Sequence, residues 1–183
     1  MGNACEECRE KAKYITFSNA QDGVAAAVEK YALGKKPKLL VSACLLGKNC
    51  KYNGGNNKNA DVIALKEHFD IVEVCPECFG GLKIPRVPNE IINGRAVSKN
   101  GEDFTKEYVD GAEKTLYIAQ ESGAVYALLK ERSPSCGKGV IYDGTFSGRL
   151  VPGNGITADL LLKNGYRIFG ESETDKLLDE AGI

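Results

Sequence analysis

From Lys38 onward the chain alternates short apolar runs with helical patterns, and this alternation constrains the fold more than any other feature. Residues 39–43, 71–74, 124–129 and 166–169 read as strands, the first an apolar run of the kind covered on both faces. Residues 61–69, 102–122, 156–164 and 173–181 read as helices, with Asp61 near the start of the first and Gly165 closing the third. Strands separated by helices require right-handed crossovers and a parallel sheet. The expected fold class is therefore α/β: a three-layer, Rossmann-like fold with a mostly parallel sheet and its site at the carboxyl ends of the strands.

Residues 1–36 form an expected amino-terminal helical extension, distinct from an α/β domain over 37–183. Cys5 and Cys8 open it, and a helix is expected from about Asn19 to Leu33, with Ser18 as N-cap and Gly34 as the stop. A 43% apolar content suits a globular chain. No apolar run approaches the roughly 18 residues of a membrane span. The start lacks the basic and apolar regions of a signal peptide, so a cytoplasmic protein with no membrane partner is the expectation. A net charge of −1 excludes a whole-molecule basic field for gripping nucleic acid. The sequence does not speak to oligomeric state.

Seven cysteines against a single histidine, His68, is the unusual count. Reduced thiols in such number point to metal or catalysis over disulfides. One histidine, in a helical pattern that suits a surface position near a helix end, nearly excludes histidine metal sites and Ser-His-Asp or Cys-His triads. Cys44 directly follows the first strand, Cys75 the second, and Cys136 lies in the loop after the third. All three project from one sheet edge, which a shared ligand explains and a disulfide framework does not. Three thiolates without histidine favour a soft metal centre. Iron–sulfur clusters take four cysteines as a rule, so a missing fourth ligand leaves one metal open for catalysis.

The flanking loops are rich in Gly and Pro: Cys44-Leu45-Leu46-Gly47, Cys50 to Gly55, Cys75-Pro76-Glu77-Cys78, Gly80-Gly81-Leu82 with Pro85-Arg86, and Ser133-Pro134-Ser135-Cys136-Gly137. In this order, across residues 38–170, these stretches resemble the DUF523 family, whose characterised branch is the thiouracil desulfidases. The resemblance implies a [4Fe–4S] cluster held by Cys44, Cys75 and Cys136 with one open iron, and Glu77 and Ser133 as the catalytic pair. It also implies a non-redox reaction in which water replaces the sulfur of a thiolated pyrimidine and hydrosulfide leaves. The substrate would be a small thiolated base or a thiouridine, including one within RNA, and cluster-assembly machinery would be a partner. The resemblance gives Cys5, Cys8, Cys50 and Cys78 no task.

Two other readings of the residues stand beside it. Cys75 and Cys78 have the C-x-x-C spacing of thiol–disulfide oxidoreductases, although an acidic Glu77 is expected to raise the pKa of these thiols. Cys5, Cys8, Cys75 and Cys78 would together make a four-thiolate zinc module. Gly153-Asn154-Gly155 before a helix suits either a phosphate loop or, more simply, a turn.

Overall fold

A computed structural model describes residues 1–12, 16–28 and 34–183. Four parallel strands, β1 (Lys38–Ser42), β2 (Asp70–Val74), β5 (Tyr126–Leu129) and β8 (Arg167–Gly170), form the central sheet in the order β2-β1-β5-β8. Leu39 pairs with both Ile71 and Tyr126, which puts β1 in the sheet interior. Alternation along the strands divides the core into two. Leu39, Val41, Tyr126, Leu128 and Phe169 face one side, with Val62, Phe69 and Leu177. Leu40, Ala127, Leu129 and Ile168 face the other, with Ala119, Ala158 and Leu161. The first layer holds helices α3 (Ala60–Ala64) and α7 (Thr174–Ala181); the second holds α5 (Thr105–Ser122) and α6 (Ile156–Lys163). The expected three-layer α/β architecture is the one observed.

Several boundaries differ from expectation. Asp61 lies in the first turn of α3 as expected, and Asn59 caps it: the Asn59 side chain accepts from the Asp61 and Val62 N–H groups. The helix then tightens into a 3₁₀ turn (Leu65–Glu67), leaving His68 exposed at its end. The helix expected from Asn19 to Leu33 is broken. Asn19–Gln21 form a 3₁₀ turn without a Ser18 side-chain cap, and Asp22 takes left-handed backbone at φ 49°. Helix α2 (Gly23–Ala27) starts only afterwards. Gly23 permits this fold-back, because a Cβ there would strike the Phe17 and Ser18 carbonyls. Residues 29–33 of the expected helix lie outside the described residues. At the amino end of the chain, Cys5 and Cys8 are exposed around a short helix α1 (Glu6–Lys11).

Two small antiparallel hairpins had no sequence expectation: β3 (Asn89–Ile92) with β4 (Arg95–Ser98), and β6 (Val140–Tyr142) with β7 (Leu150–Pro152). The first turns through Asn93 and Gly94, both at positive φ, the residues a two-residue hairpin loop favours. Among the described residues no helix is long and apolar enough to cross a membrane.

Candidate active site

A cavity of about 450 Å³ opens beyond the carboxyl ends of β1, β2 and β5. Cys44, Cys50, Cys75, Cys136, Glu77 and Ser133 all line it. The structure thus brings together the three predicted thiol ligands and the predicted catalytic pair.

Each thiol is delivered by a strand end. Cys44 lies in a 3₁₀ turn (Ala43–Leu46) that leaves β1 and ends at Gly47, φ 95°. Cys75 is the N-cap of α4 (Pro76–Phe79), with Pro76 at the first helical position. That short helix seats tightly on α5. A Cβ at Gly111 would strike the Pro76 carbonyl, and one at Gly80 the Glu107 carbonyl. Cys136 is buried after β5, its thiol on the Ser42 hydroxyl at the end of β1.

The Cys50 thiol links the group, hydrogen-bonding both Cys44 and Cys75. These bonds hold the Cys44 thiol below its ordinary range against the opposing effect of burial. For Cys75 the Cys50 bond again outweighs burial, and the neighbouring Cys78 N–H adds to it, so the pKa falls to about 6. Glu77 does push Cys75 upward, as the sequence suggested, but more weakly, and the net direction is the reverse of the expectation. Burial pushes Cys136 up, and burial with the Cys75 thiol pushes Cys78 up to about 12. Cys75 and Cys78 Sγ atoms are 3.3 Å apart.

Glu77 is locked by Arg86. The Arg86 Nε donates to Glu77 Oε2 at 2.9 Å and Nη2 donates to the same oxygen. Nη2 and Nη1 also reach the Cys50 and Lys83 carbonyls, each at 3.2 Å. The pair is well enclosed, with side-chain exposures of 9% for Arg86 and 17% for Glu77. Ser133 forms a side-chain turn. Its Oγ accepts from the Ser135 and Cys136 N–H groups, both at 3.1 Å, leaving the hydroxyl proton free to donate.

Arg86, which lines the cavity and holds Glu77, is a residue that the sequence motifs include but give no task. Its place beside Pro85 in a proline-rich loop was the available signal. Gly155 proves to be packing: a Cβ there would strike the Ser133 and Ser135 backbone, and Asn154 Oδ1 accepts from Gly139 N–H. The loop is therefore a turn that supports the Cys136 segment. The four-thiolate zinc module does not assemble. Among the described residues no three His, Cys, Asp or Glu side chains are grouped to hold a single metal ion. Several cavity-lining thiols with no histidine beside them suit a soft thiolate-held centre such as an iron–sulfur cluster.

A doubly covered parallel sheet with a cysteine-lined cavity at its strand ends defines an α/β protein built to hold a thiolate-bound centre. A model of the 2-thiouracil desulfurase family matches residues 39–173, and the chain belongs to that family. It is similar to the solved structure of the [4Fe-4S]-dependent thiouracil desulfidase TudS, at 39% identity and a TM-score of 0.76. That match covers 80% of this chain and 99% of the other. The uncharacterized protein YbbK of Bacillus subtilis (strain 168) is 44% identical over 150 residues, 76% of this chain and 99% of YbbK.

Proposed function

We propose that this enzyme acts on carbon–sulfur bonds by removing sulfur from a thiolated pyrimidine without net redox change, through a [4Fe–4S] cluster held by Cys44, Cys75 and Cys136. The observation that supports this most is the convergence of those thiols with Glu77 and Ser133 on one cavity. When bound, the cluster supplies a Lewis-acidic iron that polarises the thiocarbonyl and stabilises charge on the departing sulfur.

The chain's own residues do the rest. Arg86 fixes Glu77 through Oε2, so Oε1 is the oxygen that takes the proton from the attacking water. Ser133, with its acceptor positions filled by backbone N–H groups, donates its proton towards the sulfur or the ring. Residues 37–183 carry all these parts, and 1–36 act as an extension outside the reaction.

The test pairs two measurements on anaerobically reconstituted protein: iron per chain, and initial hydrosulfide release from 2- and 4-thiouracil. Glu77→Gln keeps shape but cannot accept a proton. It should retain iron and the brown colour while the rate falls about 10²–10⁴-fold. Full activity in that variant would show that another group activates water, and loss of iron would show that Glu77 supports the centre. The close approach of Cys75 to Cys78 favours a second reading, thiol–disulfide exchange. That reading leaves Cys44, Cys136 and the Glu77–Arg86 pair without a task, and Cys78→Ala with full desulfidase activity would exclude it.

A further inference from the structure

The reaction proposed above leaves two acidic residues of the cavity unused, Glu131, which accepts from Ser172, and Glu90. Glu90, in β3, lines the cavity yet is only 8% exposed. Its Oε2 accepts from the Phe146 N–H at 3.0 Å. Phe146 belongs to the loop between β6 and β7 and has φ 58°. That loop is pressed on β3: a Cβ at Gly144 would strike Ile91 O and the Ile92 side chain. The carboxylate is thereby held on one side by a braced backbone donor.

The other side is open. Among the described residues Glu90 Oε1 has no hydrogen-bond partner and the group has no ion-pair partner. Among the described residues the fully enclosed side-chain oxygens without a hydrogen bond are Asn89 Oδ1 and Glu73 Oε2, the latter ion-paired with Lys48, so Oε1 of Glu90 still reaches space. A carboxylate can accept about four hydrogen bonds, and burial makes the missing ones costly. A ligand N–H would complete it.

We infer that Glu90 Oε1 accepts the ring N3–H of the thiolated pyrimidine and so selects uracil-type over cytosine-type rings. This rests on the desulfidase reading. In a pyrimidine N3 lies between C2 and C4, so N3–H adjoins the thiocarbonyl whether sulfur is at position 2 or 4. It also remains a donor when N1 carries a sugar. A cytosine-type ring presents a lone pair at N3, which a carboxylate repels. A site built to accept one N–H rejects the ring that lacks it, because its buried acceptor is left unpaired.

Glu90→Gln reverses the polarity at nearly constant shape. The amide oxygen must take the Phe146 N–H, which turns the NH₂ towards the ring as a donor for an N3 lone pair. The experiment uses cluster-loaded wild type and Glu90→Gln. It measures kcat/KM for 2-thiouracil against 2-thiocytosine, and calorimetric Kd values for uracil, 3-methyluracil and cytosine. Wild type should favour uracil over both others by about ten- to a hundred-fold. The variant should lose that margin against cytosine and move towards 2-thiocytosine. A variant with the wild-type ratio would overturn the inference. Equal wild-type affinity for uracil and 3-methyluracil would overturn it without any variant, and so decides the matter even if Glu90→Gln fails to fold. Glu90-dependent binding of uracil by a protein that releases no hydrosulfide would uphold the recognition and sink the desulfidase reading instead.

Discussion

Removing Arg86 should cost stability mainly through what it strands. Its guanidinium bonds Glu77 and the Cys50 and Lys83 carbonyls, tying α4 to two loop segments beside the cavity. At exposures of 9% and 17% the ion pair is largely shielded from water. Arg86→Met keeps most of the apolar stem but leaves the Glu77 carboxylate without its counter-charge. Breaking a buried pair from one side costs about 3–5 kcal/mol. Adding Glu77→Gln removes the stranded charge, so the double variant should recover about 1–3 kcal/mol of the loss. With a urea slope of roughly 2 kcal/mol per molar, the single variant's midpoint should fall by about 2 M and the double variant should regain about 1 M. The assay is urea unfolding of the cluster-free, reduced protein at pH 7, followed by circular dichroism. A double variant as unstable as the sum of its single changes would refute the reasoning, because the two residues would then act independently.

Other outcomes are as definite. Cys44→Ala, Cys75→Ala and Cys136→Ala should each lose iron after reconstitution, whereas Cys5→Ala, Cys8→Ala and Cys78→Ala should retain it; iron retained by the Cys136 variant and lost by the Cys78 variant would reassign the ligands. A chain beginning near Lys38 should still bind a cluster, at some cost in stability from losing the Phe17 ring that meets Tyr126 edge-on at 5.4 Å; a folded truncation unable to take up iron would refute the boundary. Burial pushes the Glu173 carboxyl up, but the Gly170 N–H, Lys176 and Lys138 outweigh it and hold the pKa at about 2, against 4.5 ordinarily. A depressed carboxyl stabilises the fold fully above its unfolded pKa and loses that contribution as pH falls towards the folded one. Glu173→Gln should therefore lower the urea midpoint at pH 7 and narrow its gap from wild type between about pH 4.5 and 2; a gap independent of pH would refute the role.

The sheet was legible because its signal is carried by the residues that build it. Leu39 to Val41 are apolar in succession, and each proves buried on one face or the other. Cys44 and Cys75 were legible for a topological reason: a cysteine directly after a parallel strand must lie at the carboxyl edge, and the loop that carries Cys136 leaves β5 at that same edge. The side-chain network was not legible. Arg86 reaches Glu77 nine residues back and the Cys50 carbonyl thirty-six back, and no periodicity encodes such contacts. The direction of the Cys75 shift failed for the same reason, since Cys50 comes from a loop twenty-five residues earlier in sequence. The short hairpins were missed because their strands have only three or four residues, too few for alternation to stand out, although Asn93-Gly94 marked the turn of one.

Three polar groups in the cavity share one design: each is fixed on one side by the protein and open on the other. Glu77 is held through Oε2 by Arg86, Glu90 through Oε2 by the Phe146 N–H, and Ser133 through Oγ by two backbone N–H groups. What they leave open is two acceptors and one donor. Replacing sulfur by water on a uracil-type ring makes matching demands. The water proton needs an acceptor, the ring N3–H needs an acceptor, and charge building on the departing sulfur needs a donor. Fixed groups of this kind need no reorganisation as charge develops, which is where electrostatic preorganisation lowers a barrier. Of the cavity's cations, the Arg86 guanidinium is paired with Glu77 and Lys130 with Glu171, while Lys51 and Arg132 also line it. The two open acceptors and the open donor are thus the complement that the proposed removal of sulfur from a uracil-type ring requires.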